Sequence, residues 1–72
     1  MSFEDLSADN MFEALCYTLT ENNEANIRFY NKTAENYIIF LTKTKEIWCS
    51  TKIYTLKELR AINKKCFELG WL

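Results

Sequence analysis

The segment Tyr37–Thr42 reads Tyr-Ile-Ile-Phe-Leu-Thr. In an extended chain successive side chains point to opposite faces. Tyr37, Ile39 and Leu41 therefore share one face, and Ile38 and Phe40 the other. A strand apolar on both sides belongs inside a sheet, with something covering each face. The chain has only 72 residues with which to meet that demand, so every flanking segment must contribute to one small core.

The neighbouring segments keep the same period. Ala25–Asn31 alternates, with Ile27 and Phe29 on one side and Arg28 and Tyr30 on the other. Lys32–Asn36 is polar and reads as a hairpin loop. After a short turn at Lys43-Thr44-Lys45, Glu46–Ile53 reads as a third strand, with Ile47, Cys49 and Ile53 opposing Trp48, Ser50 and Lys52. The ends of the chain change to helical spacing. Ala8, Met11, Phe12, Leu15 and Leu19 line one side of a helix predicted from Ala8 to Glu21, with Ser7 as N-cap. The polar run Glu21-Asn22-Asn23-Glu24 ends it. Thr55-Leu56-Lys57-Glu58 is a capping box, and it opens a helix from Leu56 to Leu69. Gly70, the only glycine, stands where a helix end requires a left-handed residue. Trp71 is placed to pack back on the last turn.

The expected fold is a single α+β domain over residues 1–72, in the order α-β-β-β-α. A three-stranded antiparallel meander is packed with two helices. Double-stranded-RNA-binding domains share that order. The resemblance stops there: the Gly/Pro-containing loop and the Gly-rich, Lys-Lys start of the last helix have no counterpart here.

Composition excludes several classes of function. There is no His and no Pro, which removes the commonest general base and metal ligand. A single glycine cannot build a phosphate-binding loop. Cys16, Cys49 and Cys66 form no CxxC and fall on or beside apolar faces, where cysteine acts as a small hydrophobe. No enzymatic activity, metal or cofactor is expected. No apolar run is long enough to span a membrane. The first ten residues lack a basic and apolar leader, so a reduced, cytoplasmic location is expected.

Charge is unevenly placed. Residues 1–24 carry six acidic residues and no Lys or Arg, whereas the rest carries nine basic residues against four acidic ones. Either the acidic part folds back on the basic part, or a basic surface meets an anion. Three candidate surfaces follow. One face of the sheet collects Arg28, Tyr30, Trp48 and Lys52, joined by Ile38 and Phe40 if the registers align. Aromatics rimmed by cations suit a protein interface or the stacking of bases, unless one helix covers each face and all of this is core; the leading expectation is a protein-interaction module, an inhibitor or adaptor, binding another protein or itself as a homodimer. Lys57, Arg60, Lys64 and Lys65 on the last helix offer a second reading, nucleic-acid binding through phosphates. Glu13, Tyr17 and Glu21, on the polar side of the first helix, form an acidic patch around an aromatic.

Overall fold

The computed structural model describes residues 2–51 and 54–72. A single 3₁₀ turn, Phe3–Asp5, precedes helix α1 (Ala8–Ala14). Four strands follow: β1 (Tyr17–Asn22), β2 (Asn26–Asn31), β3 (Asn36–Leu41) and β4 (Glu46–Cys49). Helix α2 (Leu56–Glu68) closes the chain. The strands form one antiparallel sheet in the order β1-β2-β3-β4. The α+β class and the meander are as the sequence implies, but the sheet has four strands. The order is α-β-β-β-β-α, which also removes the shared element order with RNA-binding domains.

The extra strand comes out of the segment expected to be helical. Ser7 caps α1, its hydroxyl accepting from the Asn10 N–H. The helix stops at Leu15 because Cys16 takes a left-handed conformation, with φ of 72°. From Tyr17 onward the chain is extended. Tyr17-Thr18-Leu19-Thr20 is a β-compatible alternation with two β-branched residues. Leu15 and Leu19 happen to continue the helical period, which hid it. Cys16 is exposed rather than tucked against an apolar face. A register shift between Leu19 and Glu21 inserts Thr20 as an extra residue and brings Glu21 opposite Arg28.

Register decides which side of the central strand meets the helices. Phe29 pairs with Ile38, Ile27 with Phe40, and Asn31 with Asn36 across β2 and β3. Ile47 and Cys49 continue those rows on β4. Both helices pack on this side. Phe12 of α1 stacks on Phe29 with ring centroids 4.2 Å apart and meets Phe40 edge-on at 6.1 Å. Ala61 and Cys66 of α2 complete the core. Phe12, Phe29, Ile38 and Phe40 are fully buried. Burying each such side chain contributes about 1.5–3 kcal/mol.

Helix α2 ends as its sequence requires. Gly70 adopts φ of 78°. The Trp71 N–H reaches the Cys66 carbonyl at 2.9 Å and the Gly70 N–H the Phe67 carbonyl at 3.0 Å, a paired helix-terminating motif. Trp71 then lies 6.3 Å from the Phe40 ring, centroid to centroid.

The acidic N-terminal part folds back on the basic helix. The Lys65 ammonium donates to Asp9 at 3.0 Å. Glu68 accepts the Ala8 N–H at 2.9 Å, at the positive end of α1, and Glu4 pairs with Arg60. No helix among the described residues is long and apolar enough to cross a membrane.

Candidate functional site

Because both helices occupy one side of the sheet, the other side has no covering layer among the described residues. Its side chains run in rows across the strands. Tyr30 stands beside Tyr37, and Arg28 beside Ile39, which in turn stands beside Trp48. Leu41 extends the array towards the β3–β4 turn. Trp48 is 59% exposed, and Tyr30, Tyr37, Ile39 and Leu41 are half-buried by one another. Cross-strand neighbours of this kind support the sheet, but their outer surfaces meet water.

This face carries a cation that is already neutralised. The Arg28 guanidinium lies 4.9 Å from the centre of the Tyr37 ring and 3.8 Å from the Glu21 carboxylate. Among the described residues the surface is therefore an apolar, aromatic array with an internally paired charge.

The expected members of the site divide. Arg28, Tyr30 and Trp48 do share one face. Ile38 and Phe40 do not join them: both point into the core and are fully buried. The opposite parity of β3 supplies Tyr37, Ile39 and Leu41 instead. A strand apolar on both sides gives no parity signal of its own, and only the pairing with β2 resolves it. Lys52 lies outside the described residues, as does Ile53 of the expected third strand.

The basic row on the last helix also divides. Lys65 is 9% exposed, with its ammonium on Asp9 and 5.8 Å from the Phe29 ring centre, so it does not belong to an accessible basic face. Lys57, Arg60 and Lys64 remain at the surface. The acidic patch on the first helix is also not formed as expected. Residue 17 begins a strand, and Tyr17 is buried at 4% exposure.

Tyr17 instead anchors a buried polar network. Its hydroxyl donates to Glu58 at 2.6 Å and accepts from the Asn36 amide at 3.0 Å. Burial, then the bond to Glu58, pushes the Tyr17 hydroxyl well above its ordinary range. Tyr54, close to Cys49, is also pushed up, mainly by burial and then by its bond with Cys49. Burial raises the Glu58 carboxyl, but hydrogen bonds with Thr55 and Tyr17 outweigh it, and the group sits below its ordinary value. Among the described residues no group of three or more His, Cys, Asp or Glu is placed to hold a metal ion.

No family model, no curated protein and no solved structure matches the chain.

Proposed function

We propose that this chain is a non-enzymatic protein-interaction module, an inhibitor or adaptor, that docks an apolar surface of another protein against the open face of its sheet. Two copies packed through the same face are the homodimeric form of the same reading. One observation carries it. Trp48, Ile39, Tyr37, Tyr30 and Leu41 form one contiguous apolar array on the side of the sheet away from both helices. Large aromatics beside Arg are the side chains that anchor protein interfaces, and a contiguous exposed apolar patch marks such a site. Sheet-on-sheet or helix-on-sheet docking is the packing that its flat, alternating surface accepts.

The nucleic-acid reading has less support. Lys65 is engaged with Asp9, Arg60 with Glu4 and Arg28 with Glu21.

The test uses Ile39→Glu and Trp48→Glu, with Lys32→Glu in the β2–β3 turn as control. Folding is read by denaturant titration, and self-association by sedimentation equilibrium over about a tenfold concentration range. Binding to proteins from the source cells is read by affinity purification. The expected result is a retained fold with association or partner capture lost in the two face variants alone. Unfolding of both face variants overturns the reading by making these residues core. Association or capture equal to that of the control variant overturns it as well.

A further inference from the structure

The opposite side of the molecule carries a second surface of different chemistry. Leu56, Leu59 and Phe67 of α2 are spaced i, i+3, i+11 and fall on the solvent side of the helix. Phe67 and Leu56 are each 64% exposed. Of the α2 residues that meet the core, Ala61 and Lys65 lie round the other side, while Cys66, two turns beyond Leu59, borders the row. The outward face therefore carries an apolar row that the fold does not use.

Cations accompany that row, and no carboxylate of α2 does. Lys57, Arg60 and Lys64 flank the row on one side, and Asn63 sits between Leu59 and Phe67. The two acidic residues of the helix are turned away: Glu58 to the Tyr17 hydroxyl and Glu68 to the Ala8 N–H. Beside the row lies a groove of about 380 Å³, lined by Met11 and Phe67 and edged by Glu4, Arg60, Asn63 and Lys64. Its volume suits a large apolar side chain. Within the chain one carboxylate already occupies its rim, that of Glu4 on Arg60.

We propose that this face binds an acidic amphipathic helical segment of another protein. One apolar side chain of that segment seats in the groove, and its flanking carboxylates meet Lys57, Arg60 and Lys64. Charge complementarity selects the partner. A helix matches because the apolar row runs along α2 over three turns, and a packed second helix repeats its own apolar residues on that line. A nucleic acid would leave Leu56, Leu59 and Phe67 facing phosphates without gain. A flat anionic lipid surface would not enter the groove. The inference is independent of the sheet face, which lies on the other side of the sheet. With both surfaces occupied the chain would bridge two proteins.

The test is fluorescence anisotropy on the full chain with a labelled amphipathic peptide of about 18 residues. The peptide carries Leu and Phe on one face and Glu on its flanks. Its twin with Lys for Glu, phosphatidylserine-containing vesicles and a DNA duplex are the comparison ligands. The acidic peptide is expected to bind with Kd of about 10–100 μM at low salt, weakening as salt rises, and the Lys twin at least about tenfold more weakly. Lys64→Glu and Phe67→Ala, both at the surface, should each cost about tenfold. Glu4→Gln frees Arg60 and should tighten binding about threefold. Trp48→Glu should leave it unchanged. Equal binding of the two peptides overturns the proposal. So does binding of vesicles or duplex without the acidic peptide, or binding insensitive to Lys64→Glu, Phe67→Ala and Glu4→Gln.

Discussion

Replacing Tyr17 by Phe removes one oxygen and tests how the sheet is locked to α2. That hydroxyl donates to the Glu58 carboxylate at 2.6 Å and accepts from Asn36 at 3.0 Å. A hydrogen bond to a charged group contributes about 1.5–3 kcal/mol, and leaving the buried Asn36 amide unpaired adds about 1 kcal/mol. The expected loss at pH 7 is about 2.5–4 kcal/mol. A domain this small rarely holds more than about 5 kcal/mol, so the variant should be close to half unfolded at moderate temperature. The effect should depend on pH. The folded-state pKa of Glu58 lies below its ordinary value. Its contribution is therefore complete above the unfolded value of about 4.3 and is lost as pH falls through the folded one. At a pH below the folded-state value the carboxyl is neutral in both states. The bond is then worth about 0.5–1.5 kcal/mol, and the cost of the substitution should shrink by about 1–2 kcal/mol. Urea unfolding of both proteins at the two pH values measures this directly. A cost below about 0.5 kcal/mol at pH 7, or the same cost at both pH values, refutes the reasoning.

Three further outcomes can be measured on the same preparation. Tyr17 and Tyr54 are held un-ionised above their ordinary value of 10.0, so their contribution is complete below that value and stability should decline as pH rises above it. Urea curves from about pH 9 to 11 should show that decline, reduced in Tyr54→Phe. Asp9→Ala leaves the buried Lys65 ammonium unpaired and should cost about 1.5–3 kcal/mol. Lys65→Met removes the buried charge itself and should stay within about 1 kcal/mol of the parent; equal costs would contradict this account of the pair. Cys16 holds φ of 72°, a conformation that costs a side-chain-bearing residue about 1–2 kcal/mol, so Cys16→Gly should raise the melting temperature despite the added chain entropy.

The parts of the fold legible in the sequence are those fixed by local chemistry. The capping box at Thr55 and Glu58 forms as written, each residue bonding the other's backbone N–H. The alternation of β2 holds through Ile27 and Phe29. What local pattern could not settle was ambiguous for a physical reason. Leu15 and Leu19 fit a helix as well as Tyr17 and Leu19 fit a strand, and a left-handed Cys16 decides between them. Phe40 and Ile39 have equal claim to the core until Asn31 and Asn36 are paired across a four-residue turn. There the Asn31 side-chain amide oxygen Oδ1 accepts from the Ala34 N–H. The open face was therefore legible in Arg28, Tyr30 and Trp48, whereas Tyr37, Ile39 and Leu41 depend on register, a tertiary property. Lys65 looked like the others of its row, because only its contact with Asp9, 56 residues away, distinguishes it.

The central claim is that a partner protein rests on the open face of the sheet. A photoreactive benzoylphenylalanine placed in turn at Ile39, Trp48, Phe67 and Lys32 tests it in the source cells. The account predicts protein adducts from positions 39 and 48 and none from position 32. A product of twice the chain's mass identifies a second copy, and any other mass identifies a different protein. Adducts from position 67 report independently on the surface of α2. Positions 39 and 48 yielding no more adduct than position 32 would contradict the claim.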